Sequence, residues 1–288
     1  MRRSTWILMT AMLGMASMAA RALEPRYDSL IVFGDSYCDT GNLYLATGGA
    51  EPAAPYYNMR FSNGPLWVDH VAGFLGVPFG PSLAGGTDYA FGGAWVTQPE
   101  SVTGVPSVPQ QVELYLSQHG GHADPNALYI IEGGGNDILD TTSGSPVALG
   151  QDIANGLSSS EIMLRQAGAR YFVMPDLFNV GVLPAAAGNT SFALAASDET
   201  DKTLNGLLGP EYQLQGVLIV RMNVFRLMTA IQADPDHFGF TDITDPCLTT
   251  AVCADPDHTF FWDTHHPTEF GHAFFAVILE NVLPRRAN

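Results

Sequence analysis

A serine, a histidine and an aspartate occur in this sequence at positions where they could form a nucleophilic centre. Ser36 closes the tripeptide Gly34-Asp-Ser directly after an apolar run, and Asp263 precedes His266 by three residues. At that spacing a carboxylate can hold one imidazole nitrogen and leave the other free as a base for a serine hydroxyl. The three residue types together predict acyl transfer through a covalent intermediate on Ser36.

Other roles for these residues stay open at this point. Ser36 could cap a helix, which is a common position for serine. A metal site is a second possibility, with ligands from Asp263, His265, His266 and His272. We favour the triad because nothing else in the chain looks like an open metal site. The sequence also holds no H-E-x-x-H, G-x-S-x-G or Walker motif that would indicate another chemistry, and we expect neither a metal nor an organic cofactor. His265 does not fit the Asp-x-x-His spacing, so we expect it at the surface or beside the substrate.

Two glycine-rich segments could supply hydrogen-bond donors to a developing negative charge. Residues 133–137, Gly-Gly-Gly-Asn-Asp, follow an apolar run, and glycines let a backbone pass close to a ligand. Asn136 could then direct its amide N–H into the same crevice as Ser36, as an oxyanion donor does. A plain turn with Asn136 in a left-handed conformation is the alternative. Residues 88–94 are by themselves only a glycine-rich bend.

Short apolar runs alternate with segments of helical spacing, which is typical of a parallel sheet covered by helices on both faces. We predict strands at 29–33, 127–131, 170–174 and 216–221, and helices at 65–75, 147–168, 203–208, 223–233 and 267–282. Residues 76–109 are rich in glycine and proline and should form loops. Ser36 should follow the first strand and lead into a helix, at the sheet edge where open α/β folds bind ligands.

The composition indicates a folded and acidic protein, and the N-terminal pattern indicates export. The 288 residues are 46% apolar and 14% charged, with a formal net charge of −17, which disfavours nucleic acid and anionic lipid as partners. Two arginines precede an apolar run that ends in Ala20-Arg-Ala22. Residues 1–22 are therefore predicted to be a signal peptide, with an uncleaved membrane anchor as the alternative. Residues 23–288 should form one secreted or periplasmic domain without stable membrane insertion.

The three cysteines are compatible with one disulfide bond. Cys247 and Cys253 lie close together in a stretch rich in turn-forming residues, and in an oxidising compartment they should pair. Cys38 should remain a thiol. Because no C-x-x-C sequence occurs, neither a dithiol redox motif nor a cysteine zinc site is indicated.

Four sequence blocks, in order, resemble those of the GDSL or SGNH hydrolase family. They are residues 31–42 (IVFGDSYCDTGN), 89–94 (YAFGGA), 134–137 (GGND) and 263–267 (DTHHP). The resemblance implies a three-layer α/β/α sandwich with a parallel, flavodoxin-like sheet. Tyr37 and Cys38 replace the leucine and serine that are commoner in the first block of the family. These departures leave the proposed catalytic groups in place but could alter the fit of an acyl chain.

The same resemblance implies specific roles for site residues. Ser36 would be the nucleophile, with Asp263 and His266 as the other catalytic residues. The oxyanion hole would consist of the backbone N–H groups of Ser36 and Gly93 together with the side chain of Asn136. The implied activity is that of a secreted serine esterase or lipase that hydrolyses small-molecule or lipid esters. An acyltransferase with the same acyl-enzyme, a carbohydrate acetyl esterase and a non-catalytic binding module are the alternatives.

Overall fold

Four short apolar segments form a parallel sheet. They are β1 (Ser29–Phe33), β2 (Ala127–Ile131), β3 (Tyr171–Pro175) and β4 (Leu218–Met222), hydrogen-bonded in that order. Every residue of β2 is buried, as expected for a strand with helices on both faces, and this explains why its sequence shows no polar alternation.

The structure is a computed structural model that describes residues 27–99, 104–214 and 216–283, so the predicted signal peptide lies outside the described residues.

A fifth extended segment, residues 87–91, continues the sheet beyond β1. Tyr89 N–H donates to the Val32 carbonyl at 2.8 Å, and Val32 N–H donates to the Thr87 carbonyl at 3.2 Å. The chain therefore leaves β1 towards one side of the sheet and returns as β2 on the other side. This reversal creates a crevice at the C-terminal end of β1, which is the usual ligand site of such sheets. The arrangement is the flavodoxin-like one that the family resemblance implied.

Helices cover the sheet in two groups. α3, α5 and α6 pack together, and α2 packs against α8, so the three-layer α/β/α prediction is confirmed. No helix in the described ranges is long and apolar enough to cross a membrane. The helices are α1 (Asn42–Ala46), α2 (Trp67–Leu75), α3 (Val108–Gln118), α4 (Gly135–Asp140), α5 (Pro146–Ala167), α6 (Thr190–Leu208), α7 (Val224–Ala233) and α8 (Glu269–Glu280).

α3 and α4 were not predicted, and each overlaps a segment predicted as a loop or turn only at its start. α3 begins at the end of the glycine- and proline-rich stretch, and Ser107 and Gln110 form a capping box around its first turn. α4 begins at Gly135, directly after Gly134 with its positive φ of 109°. α6 was predicted only at 203–208 but starts at Thr190, because its buried face is made mostly of small residues that give a weak hydrophobic pattern.

A long connection leads from α7 to the segment that contains Asp263. The sulfur atoms of Cys247 and Cys253 lie 2.03 Å apart within it, and Cys247 N–H donates to the Phe261 carbonyl at 2.9 Å. The disulfide loop is therefore joined to the chain two residues before Asp263. Cys38 is a buried free thiol.

Candidate active site

A single tight turn follows β1 and carries Ser36. The N–H groups of Cys38 and Asp39 both donate to the Asp35 carbonyl, and the Asp35 side chain accepts from Tyr37 N–H at 3.0 Å. The expectation that Ser36 leads into a helix is wrong, because the chain makes only this one turn and α1 begins at Asn42. The turn places the Ser36 hydroxyl at the floor of a cleft.

Two buried carboxylates join this turn to the neighbouring segment 87–91. Asp39 accepts N–H groups from the start of α1, at 2.6 to 3.0 Å, and also the N–H of Gly92 at 2.8 Å. Asp88 accepts both the N–H and the hydroxyl of Thr40, at 2.7 and 2.6 Å. Burial raises the pKa of both carboxylates, although these donors act in the opposite direction. Together they fix Gly92 and the residue after it beside the turn that carries Ser36.

The predicted oxyanion donors line one cleft with Ser36. Gly93 has φ of 79°, a left-handed conformation that favours glycine. Among the described residues, the N–H groups of Ser36 and Gly93 have no hydrogen-bond acceptor. Asn136 lies in the first turn of α4, so the left-handed alternative is wrong. Its amide nitrogen donates to the Ala94 carbonyl at 3.1 Å, which leaves one amide hydrogen for a ligand.

Asp263, His266 and Ser36 form a continuous hydrogen-bonded line. His266 Nε2 lies 2.8 Å from Ser36 Oγ, and His266 Nδ1 lies 2.7 Å from Asp263 Oδ2 and 2.9 Å from Oδ1. Asp263 Oδ1 also accepts the backbone N–H groups of His265 and His266, at 2.7 and 2.8 Å. The two residues therefore share a turn closed by the Asp263 side chain, whereas the sequence suggested a helical turn. α8 starts later, at Glu269.

The surroundings keep Asp263 ionised. Burial opposes its negative charge, but the His266 imidazole, the Tyr56 hydroxyl and the His265 N–H together hold its pKa well below the ordinary value. An ionised carboxylate at this place stabilises an imidazolium on His266. Burial raises the pKa of the neighbouring Asp35 to about 6, against the opposing effects of the Tyr37 N–H and His266.

An apolar cleft opens beside the Ser36 hydroxyl. Tyr37 stacks on Phe178 with ring centroids 4.9 Å apart and forms part of the wall. His265 also lines the cleft, as the sequence allowed, and burial together with the neighbouring His266 lowers its pKa. The apolar side chains of the wall are Leu43, Phe61, Leu139, Phe178 and Leu183. This surface suits the hydrocarbon part of an acyl group.

The spacing, order and geometry of these groups agree with one protein family. A family model described as GDSL-like lipase/acylhydrolase matches residues 30–279, which include every site residue named above. The chain belongs to this family. The expectation of a carboxylic ester hydrolase family is thereby confirmed.

Two curated relatives and one solved structure are similar to this chain. Thermolabile hemolysin of Vibrio parahaemolyticus is 26% identical over 239 residues, which is 79% of this chain and 53% of the hemolysin. Phosphatidylcholine-sterol acyltransferase of Aeromonas hydrophila is 25% identical and matches 82% of this chain and 70% of its own length. The chain thus spans about half the length of the hemolysin. A lipolytic G-D-S-L family protein of Veillonella parvula has the same fold, with a TM-score of 0.51, 15% identity and coverage of 88% and 97% of the two chains.

Several residues that support the GDSL-family site gave no recognisable signal in the sequence. Gln111 of α3 holds Gly34 through two hydrogen bonds of 2.9 Å, one to its N–H and one to its carbonyl. Glu132, directly after β2, accepts the Asp35 N–H at 2.8 Å. Tyr56 donates its hydroxyl to Asp263 Oδ2 at 2.6 Å. These partners lie 77 to 207 residues apart in the chain, so no local pattern connects them.

The histidine-rich segment does not gather into a metal site. Within the described residues, no three histidine, cysteine or acidic side chains are grouped so that they could hold a metal ion. His272, one of the possible ligands, is fully buried in α8, and its Nδ1 faces the Trp67 N–H at 3.4 Å. His266 is engaged with Asp263 and Ser36. The donor set therefore favours the triad interpretation of this segment.

Proposed function

We propose that this GDSL-family chain is a serine esterase or lipase that hydrolyses carboxylic esters through an acyl-enzyme on Ser36. The observation that supports this best is the hydrogen-bonded line from Asp263 through His266 to Ser36 Oγ at the floor of an apolar cleft. Such a line makes a serine hydroxyl nucleophilic without a metal or an organic cofactor.

The first half of the reaction acylates Ser36. Its Oγ attacks the ester carbonyl carbon while its proton passes to His266 Nε2, and the ionised Asp263 stabilises the resulting imidazolium. The C–O bond to the alcohol then breaks, and His266 returns the proton to the leaving oxygen. In the second half, water attacks the acyl-enzyme, with His266 again as base, and Ser36 Oγ leaves with the proton.

Three donors would stabilise the tetrahedral intermediate. The backbone N–H groups of Ser36 and Gly93, which lack acceptors in the described part of the chain, would bind the oxyanion together with the Asn136 amide. Donors fixed in advance are effective because they need no reorganisation when the charge develops. Buried Asp39 fixes the Gly92 backbone beside the turn, so the Gly93 N–H keeps its position.

The cleft and the charge of the chain suit an uncharged or apolar ester. The wall above Ser36 is mostly apolar, and the net charge of −17 disfavours anionic substrates. We propose that residues 1–22 direct export and that residues 23–288 act as one catalytic domain in the periplasm or outside the cell. The N-terminal pattern of arginines, apolar residues and Ala20-Arg-Ala22 supports this.

Replacement of the nucleophile tests the proposal. Ser36→Ala should fold normally and lose ester hydrolysis by about three orders of magnitude or more, because only binding and the oxyanion donors remain. A fluorophosphonate probe should label wild-type protein on the peptide that contains Ser36. Ser143→Ala, at an exposed serine, is the control and should keep full activity and labelling. Retention of more than about a tenth of the wild-type rate in Ser36→Ala would remove Ser36 from the mechanism.

Transfer of the acyl group to an alcohol is a second candidate activity. It is favoured by the similarity to a phosphatidylcholine-sterol acyltransferase, and it uses the same acyl-enzyme with an alcohol in place of water. Product analysis of one ester with and without an acceptor alcohol separates the two activities, because a transferase forms a new ester. A parallel assay on acetylated xylan tests the carbohydrate esterase alternative.

A further inference from the structure

The loop between α1 and α2 lies against the segment that carries Asp263 and His266. Ser62 Oγ donates to the Pro267 carbonyl at 2.9 Å, and Asn63 Oδ1 accepts the Glu269 N–H at 2.7 Å. Phe61 lies over the His266 ring with centroids 5.1 Å apart. Residues 51–63, which we call the clamp loop, therefore hold a segment that belongs to no strand or helix.

Tyr56 of the clamp loop contacts the Asp263 carboxylate directly. Its hydroxyl donates to Asp263 Oδ2 at 2.6 Å, and its ring meets the edges of Phe61 and Trp262 with centroids 6.1 and 6.2 Å away. The half-buried ring is thus held on two sides. A rigid aromatic ring presents its hydroxyl in a fixed direction at little cost in conformational entropy.

The two carboxylate oxygens of Asp263 bind different sets of hydrogen-bond donors. Oδ1 accepts the N–H groups of His265 and His266 and lies 2.9 Å from His266 Nδ1. Oδ2 lies closer to His266 Nδ1, at 2.7 Å, and accepts the Tyr56 hydroxyl. Among the described residues, Tyr56 is the only side chain besides His266 that donates to this carboxylate. A carboxylate held on one oxygen by its own turn and on the other by a tyrosine cannot rotate away from the imidazole.

We propose that Tyr56 is a positioning residue for the catalytic pair, which fixes the Asp263 carboxylate and tunes its pull on the His266 proton. The inference rests on the proposed function, since it concerns the base of that reaction. Tyr56 does not contact the space above Ser36, because the residues that line the cleft do not include it. Its removal should therefore change turnover and not substrate binding.

The direction of the electrostatic effect follows from the donor role of Tyr56. Its O–H neutralises part of the Asp263 charge, so removing it lets the carboxylate hold the imidazolium more strongly. The acid limb of kcat/KM should therefore move to higher pH in the Tyr56 variant. The other titratable groups facing this pair are Asp35, Tyr37, His265 and His272, with Glu51 on the cleft wall. All of these groups are retained in a Tyr56 variant, so a change in the pH profile reports the loss of the Tyr56 hydroxyl.

Tyr56→Phe tests this with the adjacent residue as a matched control. Tyr57 is 45% exposed, and its hydroxyl has no hydrogen-bond partner within the described ranges. Tyr56→Phe should lower kcat about tenfold, the effect of one hydrogen bond to a charged group, leave KM unchanged and shift the acid limb upwards. Tyr57→Phe should leave all three unchanged. The test uses the full chain, with thermal melting to show that both variants fold.

A double-mutant cycle with Asp263→Asn separates positioning from general loss of structure. If Tyr56 acts through Asp263, Tyr56→Phe should have little further effect once the carboxylate is gone. Equal tenfold losses in both backgrounds, or a kcat/KM profile of Tyr56→Phe that superimposes on the wild type, would overturn the inference. Failure of the proposed function looks different, because Ser36→Ala would then retain activity whatever Tyr56→Phe does.

Discussion

His266 Nε2 lies 2.8 Å from Ser36 Oγ although 230 residues separate the two in the chain. Ser36 is placed by the turn after β1, and His266 is placed by a turn that the Asp263 side chain closes. The clamp loop joins these regions, since it follows α1 and bonds to Pro267 and Glu269. The reactive pair therefore depends on tertiary contacts that no single element supplies.

The two adjacent histidines should behave differently when each is replaced. His266→Ala should lower kcat/KM by about three orders of magnitude or more, because it removes the base. His265→Ala should keep most of the activity, since the backbone N–H of residue 265 still donates to Asp263 and, among the described residues, the ring hydrogen-bonds only to Thr264. Steady-state kinetics on one soluble ester measures both. Equal losses in the two variants, or inactivation by a chelator with rescue by zinc, would contradict the triad.

Asn136→Ala should lower kcat by about a hundredfold to a thousandfold, the usual effect of losing one oxyanion donor. KM should change little, because the donor acts on charge that develops after binding. The variant should still react with a fluorophosphonate probe, only more slowly, because Ser36 and His266 remain in place. A drop in kcat of less than about threefold would show that the Asn136 amide does not contact the oxyanion.

Buried His272 should make the fold sensitive to acid. Burial, followed by the charges of His266 and His70, lowers its pKa to about 3, whereas a histidine in the unfolded chain titrates near about 6.5. Between these values the unfolded chain binds a proton that the folded chain does not, so the free energy of unfolding decreases as pH falls. The slope from this group is up to about 1.4 kcal/mol per pH unit.

His272→Leu removes this contribution. Chemical denaturation from pH 6.5 to 4 should give a flatter dependence of unfolding free energy on pH than in the wild type. His258 is an exposed control, whose pKa is raised by its hydrogen bond to Asp255, so His258→Asn should not flatten the curve. Parallel curves for His272→Leu and the wild type would show that His272 is not held neutral in the folded state.

Cys247 and Cys253 should be disulfide-bonded in exported protein, with Cys38 as a thiol. Alkylation without reduction, followed by mass spectrometry, should label only Cys38, and only after denaturation, since it is buried. The bridge closes a loop with a sequence separation of 6, so its loss in the double serine variant should cost about 2 kcal/mol of stability. Three labelled cysteines in exported material that was denatured without reduction would refute the pairing.

The strands were predictable because their signals are local. β1 and β2 have the predicted bounds, as each apolar run ends at a charged residue or glycine within two positions. β3 and β4 are displaced by one or two residues, and Pro175 closes β3 as its last residue. α6 was mostly missed because small residues such as Ala193 and Ala196 form its buried face. Small side chains pack well against a neighbouring helix without giving a strong hydrophobic period.

The site was predictable only where its residues are close in sequence or belong to a known block. The Asp263 and His266 pair follows from its spacing, although the turn between them is not helical. Tyr56 lies 207 residues from its partner Asp263, and a contact over that distance depends on how the clamp loop folds. No periodicity or propensity of the loop itself points to Asp263.

The buried carboxylates Asp39 and Asp88 have a consequence for altering this enzyme by design. They fix the backbone around the nucleophile from positions that are wholly buried. The apolar side chains that would touch an acyl group, such as Leu139 and Leu183, stand outside that network and line the cleft from other segments. A library that randomises those leucines can therefore be screened for new substrates. The hydrogen bonds of Asp39 and Asp88 that hold the backbone around Ser36 do not involve these leucines and stay in place.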